Sequence, residues 1–315
     1  MTETVVSLSG GVGGAKLVLG LSHAMRASNL IVACNTGDDF DHLGLRICPD
    51  IDSVLYALAN LSDSVRGWGR CDESWVFMEA LASMGGPDWF NLGDRDLATH
   101  VLRSHMLRSG MSLSEVTRAL TQRLGIETTV LPMSNDPVAT FVDTTEGAMA
   151  FQHYFVKEKC APQATGFDFR GQEAARVQTD IADALRVEPK AIIIAPSNPF
   201  VSVDPILGLP HMRTTLKAAK APIVAVSPIV GGQALKGPAA KMMQELGRDV
   251  SVLGVAQHYQ GLIDGLVFDT QDAHLAPRIS DFGIQPCVTD TIMTDLNSRI
   301  RLAKATLSFC DEVQK

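Results

Sequence analysis

Closely spaced cysteines are missing from this 315-residue chain: Cys34, Cys48, Cys71, Cys160, Cys287 and Cys310 include no CxxC pair. Neither a zinc site nor a disulfide framework is indicated, and free, mostly buried thiols are expected. No apolar run approaches the ~18 residues that a membrane span needs. The first residues lack the basic start and unbroken apolar core of a signal peptide, so a cytoplasmic protein with no membrane partner is expected. Positive charge is also short, with 27 Lys and Arg against 35 Asp and Glu, a formal charge of −8 and a pI near 5.5. Non-specific binding to nucleic acid needs a basic surface that displaces counterions from phosphates, so nucleic acid is not an expected partner. The eight histidines form no convincing metal-binding pair, since His100 and His105 are five positions apart. Internal repeats and low-complexity linkers are absent too.

What the chain does have is a core-forming composition, 46% hydrophobic, enough for one large domain or a domain with a sizeable insertion. Short apolar runs alternate with longer segments of helical period, the pattern of a parallel sheet with crossover helices. Strands are predicted at Thr4 to Leu8, Leu30 to Cys34, Ala191 to Ala195, Pro222 to Val226, Val250 to Val255 and Leu266 to Phe268. Between the first two, Leu17, Leu21, Ala24 and Met25 recur at helical spacing. Helices are predicted at Ile51 to Asn60, Asp72 to Met84, Asp94 to Arg108 and Leu113 to Leu124, the last opened by a Ser112/Glu115 capping box. Thr128 to Leu131, Val138 to Val142 and Ala148 to Val156 read as strands, the last from its alternating Met149, Phe151, His153 and Phe155. The expected class is α/β: a Rossmann-like core with a mostly parallel sheet, residues 1–50 and 187–315, carrying a helical and β-containing insertion or lid over 51–186.

The stretch SGGVGGAKL, from Ser9 to Leu17, puts Gly10, Gly11, Gly13 and Gly14 between the first strand and the first helix. A P-loop needs its second glycine before the lysine and a hydroxyl residue after it, but Ala15 and Leu17 flank Lys16. A dinucleotide fingerprint counted from Gly11 needs a third glycine where Lys16 stands. A tight turn requiring positive φ is one remaining reading. The other is a helix N-terminus whose backbone N–H groups receive an anion, or a flat ring lying on bare backbone, with Lys16 adding charge or snorkelling.

After the second strand comes NTGDDFDHLGLRICPDID, from Asn35 to Asp52, with Asp38, Asp39, Asp41, Asp50 and Asp52. Loops at the carboxyl ends of adjacent parallel strands converge over one crevice, so this loop belongs beside the glycine turn. Hard oxygen ligands there suit a magnesium ion that neutralises a diphosphate. Helix capping by Asp50 or Asp52 and plain solvation of Asp41 are the simpler alternatives.

These two stretches, with RGWGRCDESW (66–75), WFNLGDRDLATH (89–100), LPMSNDPVAT (131–140), APSNPFVS (195–202) and VSPIVGGQALKGPAAK (226–241), resemble the 2-phospho-L-lactate transferase family of coenzyme F-420 synthesis. The resemblance covers essentially the whole chain. It implies an α/β enzyme, usually a homodimer, that moves a phosphoacyl unit from a guanosine diphosphate ester of a small hydroxy acid onto the ribityl hydroxyl of the deazaflavin Fo, releasing GMP with magnesium required. Positioning and charge neutralisation should then carry most of the catalysis. Asp38, Asp39, Asp50 and Asp52 become candidates to bind magnesium, with Asp38, Asp52 and Arg95 as candidate catalytic groups. Asp52 matches an Fo-contacting position, and Asn91 falls near a second one where some relatives carry a basic residue.

The remaining candidates for substrate contact are Gly10, Gly11, Gly13, Lys16, Asn35, Thr36, Gly93, Asp94, Ser197, Asn198, Ser227, Gly231 and Lys236. Asp94 and Asp96 equally suit the start of a helix, and Lys241 equally suits a solvated helix face. A regulatory nucleotide-sugar-binding protein of the same superfamily is the alternative function. Its acidic loop resembles DDGGSSG, whereas Phe40, Asp41 and His42 follow Asp39 here, which favours the transferase.

Overall fold

The computed structural model describes residues 3–234 and 237–313. The chain runs β1 (Val5–Ser9), α1 (Gly11–Ala24), β2 (Leu30–Cys34), a hairpin of β3 (Phe40–His42) and β4 (Leu45–Ile47), then four helices. Those are α2 (Pro49–Leu58), α3 (Val76–Ser83), α4 (Asp94–Arg108) and α5 (Leu113–Arg123). Next come β5 (Thr129–Pro132), β6 (Ala139–Thr144), β7 (Gly147–Ala150), β8 (Ala164–Arg170), α6 (Thr179–Arg186) and β9 (Ala191–Ile194). The last third holds α7 (Asp204–Leu207), α8 (Met212–Ala218), β10 (Ile223–Val226), β11 (Ile229–Val230), β12 (Gln233–Ala234), α9 (Ala239–Glu245), α10 (Val252–Tyr259), β13 (Gly265–Asp269), α11 (Ala276–Ser280), β14 (Gln285–Thr289) and α12 (Leu296–Glu312).

Seven strands form one parallel sheet in the order β14-β13-β10-β9-β1-β2-β5. The chain builds outward from β1 through β2 to β5, then returns to β1's other side with β9. The strand order therefore reverses between β1 and β9, and in an open α/β sheet the crevice at that point receives ligands. Side chains alternate across the sheet with period two. Val6, Leu8, Ile192, Ile194, Ile223 and Ala225 enter one core with α6 to α10. Val5, Ala191, Ile193, Val224 and Val226 enter the other, with α1, α2, α5 and α12. A third small core, Ile47, Met78 and Leu92, ties the β3–β4 hairpin to α3 and α4.

Two predicted elements are corrected. Val250 to Val255 is no strand: Ser251 caps α10 by accepting the Leu253 N–H at 3.1 Å. Val252 to Ala256 are all buried, so no polar face exposed the helical period. The stretch from Ala148 is extended only to Ala150 and then turns helical through Lys157. Its alternate aromatics hid that turn, in which the Phe151 and Phe155 rings stack at 5.5 Å as i,i+4 neighbours. The predicted Thr128 to Leu131 strand is β5 and lies at the edge of the main sheet, bonded to β2. The predicted helix from Asp72 starts only at Val76, and the Ser112/Glu115 capping box forms as expected.

Candidate functional site

At the switch point the glycine turn leaves β1 with Gly10 extended and Gly11 at φ +62°. Three of its four glycines are required by the chain itself. A Cβ on Gly13 would stand 2.3 Å from the Pro196 carbonyl oxygen, and one on Gly10 2.6 Å from Ser202 Cβ. On Gly14 it would meet Ser9 Oγ at 2.4 Å and Ser197 Oγ at 2.8 Å. The strap after β9 thus lies against the turn, fastened where Ser197 Oγ accepts the Gly10 N–H (3.0 Å) and donates to the Gly10 carbonyl (2.7 Å). Gly11 differs: no atom lies within 4 Å of a Cβ built there. It faces open space.

Beside the turn, Asn35 is fully buried at the end of β2. Its amide donates to Asp38 (3.1 Å), Asp50 (2.9 Å) and the Val201 carbonyl (3.3 Å), while its oxygen accepts the Gly37 N–H (2.8 Å). Asp50, in the first turn of α2, also accepts the Gly11 N–H at 2.6 Å. One amide therefore gathers two carboxylates against the glycine turn. Burial pushes Asp38 well above the usual carboxylate range, and neighbouring Asp50 pushes it further. Burial likewise raises Asp50 to about 6, held back by Asn35 and the Gly11 N–H.

Asp39 is raised by burial to about 7, with Arg46 and the Cys48 thiol pulling it back. Neither of its oxygens has a hydrogen-bond partner of normal geometry among the described residues, and Arg46 stands 3.7 Å away. Buried polar atoms are rarely left this way. Several stand around one loop, where Thr36 Oγ1, His42 Nε2, Thr140 Oγ1 and Ser9 Oγ lack partners as well, while others, His100 Nε2 and Arg103 Nε among them, lie elsewhere. Thr140 belongs to the group because its N–H donates to the Gly37 carbonyl at 2.7 Å. The hairpin past Asp39 adds an aromatic rim, where Phe40 meets Phe90 at 4.9 Å, His42 meets Trp89 at 5.2 Å and Trp89 meets His153 at 4.7 Å. Burial, then His153, lowers the His42 pKa.

Asp52 is turned elsewhere. Residues two apart on a helix do not share a face, and while Asp50 faces the glycine turn, Asp52 faces α4. Both its oxygens bind the guanidinium of Arg103, which is fully buried. Asp96 and His100 complete this second group, with His100 Nε2 3.2 Å from Asp96 and the Tyr56 hydroxyl donating to Asp96 at 2.5 Å. Asp52, Asp96 and His100 lie close enough together to hold a metal ion. Arg103 already brings a cation onto Asp52, and Arg46 stands 3.7 Å from Asp39, whereas Asp38 and Asp50 have no ion-pair partner among the described residues.

Other predicted residues are placed as follows. Lys16 Nζ donates to the Met293 carbonyl at 3.1 Å. Asn198 accepts the Phe200 N–H at 3.0 Å, and the Ser227 hydroxyl closes its own turn on Ile229. Gly231, at φ +56°, donates its N–H to Asp272 at 2.9 Å. Lys236 lies outside the described residues. Lys241 is held by Glu245, the Tyr154 hydroxyl and the Pro162 carbonyl. Asn91 and Arg95 are exposed, and a Cβ on Gly93 would collide with Glu73 at 2.2 Å. Asp94 accepts the Val76 and Phe77 N–H groups, capping α3, while Glu73 accepts those of Arg95 and Asp96, capping α4.

Sequence reasoning missed Arg46, His42, Thr140 and Arg103. A signal existed for Arg46: Leu43 and Gly44 form a two-residue turn with φ of 53° and 71°, which pairs Asp41 directly opposite Arg46.

The chain matches the family described as 2-phospho-L-lactate transferase CofD over residues 5–305. It is 39% identical to a phosphoenolpyruvate transferase of Streptomyces avermitilis over 98% of this chain and 99% of that one. To a 2-phospho-L-lactate transferase of Methanosarcina acetivorans it is 38% identical, over 98% and 100% of the two chains. Among solved structures, a UPF0052-family protein from Bacillus halodurans shares the fold with a TM-score of 0.65 at 15% identity, covering 97% of this chain and 100% of that one.

Proposed function

The chain belongs to the 2-phospho-L-lactate transferase family, and on that premise we propose that it transfers a phosphoacyl group from a guanosine diphosphate ester to the ribityl hydroxyl of Fo. A new bond forms between the ribityl oxygen and the outer phosphorus, the bridging P–O bond breaks, and GMP leaves with that oxygen. The observation that carries this reading is the buried set of Asp38, Asp39 and Asp50 at the switch point, short of positive charge and ringed by unpartnered polar atoms. Hard oxygen donors collected in this way fit Mg2+. Asp38 and Asp50, which share the Asn35 amide, would hold it, and its chemistry there would be to neutralise the diphosphate and the charge leaving with GMP.

The chain's own groups supply the rest. The open face of Gly11 and the first-turn N–H groups of α1 beyond Gly11, whose own N–H is taken by Asp50, would receive the diphosphate, which the positive end of the helix dipole favours. Asn35 fixes the two carboxylates relative to each other. Asp38, ionised when the cation is bound, would take the proton that the ribityl hydroxyl loses. Phe40, Trp89 and Phe90 offer apolar faces to a flat ring, beside a His42 nitrogen without a partner.

Relatives of both names match at 38–39%, so the test offers three donors. The protein is incubated with Fo, Mg2+ and guanylylated lactate, enolpyruvate or glycerate, and the products are read by mass spectrometry. One Fo phosphodiester with stoichiometric GMP is expected; no phosphodiester from any donor overturns the reading.

A further inference from the structure

We propose that Arg103 is a positioning residue, through which the lid helix α4 fixes both arms of the acidic cluster from behind. The inference rests on the cation reading above. Arg103 is fully buried, and its guanidinium takes Asp52 in a two-pronged grip. Asp52 follows Asp50 by two positions in the first turn of α2, so holding Asp52 fixes the roll of that turn and the direction in which Asp50 points. This is the first arm.

The second arm runs through the hairpin. Arg103 Nη1 also reaches the Arg46 carbonyl at 3.4 Å, and Ser104 Oγ accepts the Arg46 N–H at 2.7 Å. Consecutive residues of α4 therefore hold both backbone polar groups of Arg46, whose side chain is the cation 3.7 Å from Asp39. Asp38 stays tied to Asp50 by Asn35. All three carboxylates are thus referenced to α4, although none of them touches Arg103 through a hydrogen bond. A lysine in place of Arg103 keeps the charge but cannot reproduce the planar fork that sets direction.

The test measures binding of Mn2+ alone, by the loss of free-ion signal in electron paramagnetic resonance, to the unaltered protein, Arg103→Lys and Ser104→Ala, each checked for folding by circular dichroism. A role limited to stability leaves the dissociation constant of the folded protein unmoved. The proposal expects about a tenfold weaker constant for Arg103→Lys, in the range seen when groups orienting metal ligands are removed, and a smaller weakening for Ser104→Ala. Wild-type affinity in both variants overturns it. If Arg103→Lys does not fold, Ser104→Ala decides, and unchanged affinity there overturns it. Failure of the unaltered protein to bind Mn2+ instead overturns the cation reading on which the inference stands.

Discussion

Replacing Gly13 by alanine adds one methyl group at the point where the strap after β9 crosses α1. Gly13 lies inside a helix, where alanine is normally favoured by about 1 kcal/mol. The added carbon would stand 2.3 Å from the Pro196 carbonyl oxygen, and that neighbour is backbone, which cannot rotate aside. Overpacking of this kind costs about 1–3 kcal/mol. Moving the strap also stretches the bonds between Gly10 and Ser197, worth about 1 kcal/mol together. The net expectation is a loss of about 2 kcal/mol, which thermal denaturation reads as a fall of about 3 °C.

Gly11→Ala is the control that separates packing from ligand binding. Its Cβ enters open space, so the cost is the left-handed backbone at φ +62°, about 1 kcal/mol. Its larger effect belongs to binding, because the methyl group would stand where the proposed function puts the diphosphate. The KM for the guanosine ester should rise at least about tenfold, the equivalent of about 1.4 kcal/mol. A Gly13→Ala protein as stable as the wild type would refute the packing argument. An unchanged KM in Gly11→Ala would remove the donor from the glycine turn.

Stability should depend on pH in a direction set by the acidic cluster. Asp39 and Asp50 are raised by burial to about 7 and about 6, so the fold favours their protonated forms. That contribution is complete below about pH 4, the unfolded value, and is lost as pH rises through 6 and 7. For Asp39 it is on the order of 4 kcal/mol. Metal-free protein should melt higher at pH 5 than at pH 8, and Mg2+ should raise the melting temperature more at pH 8; an equal Mg2+ shift at both would contradict carboxylate ligation. Asn35→Ala leaves two buried carboxylates without their shared donor, for a loss of about 2–4 kcal/mol measurable by calorimetry. Unchanged stability in that variant would show that Asn35 is not what holds Asp38 and Asp50 together.

Parts of this fold were legible because local signals agreed with the tertiary environment. Leu30 to Cys34 is a central strand between β1 and β5, and its unbroken apolar run says so. The Asp94–Arg108 helix begins and ends where its sequence suggests. Legibility failed where burial removed the contrast on which periodicity depends, as in α10, or where a strand-like alternation continued through a helical turn, as at Phe151 and Phe155. The glycine turn was located correctly, but apart from Ser9 beside Gly14 the atoms that require Gly10, Gly13 and Gly14 come from Asp50 and from residues 196–202, far away in sequence. No inspection of SGGVGGAKL reveals them.

The acidic loop shows why proximity in sequence misgroups charges. Asp50 and Asp52 look like one ligand pair, yet a rotation of about 100° per residue sends the second toward α4, where Arg103 meets it. What remains toward the crevice is Asp38, Asp39 and Asp50, with Arg46 at 3.7 Å as the nearest opposing charge. Burial is the largest cause of the raised values at all three carboxylates, and Asp38 is pushed further by Asp50 and Asp39, so the metal-free site holds protons chiefly because buried charge is costly. A divalent cation offsets that cost in a different way, leaving the carboxylates ionised and the cation's remaining charge turned toward an anionic substrate. Asp52 answers to a different neighbourhood: with Asp96 and His100 it forms a group close enough to hold a metal ion, and the Arg103 guanidinium is the cation already resting on it.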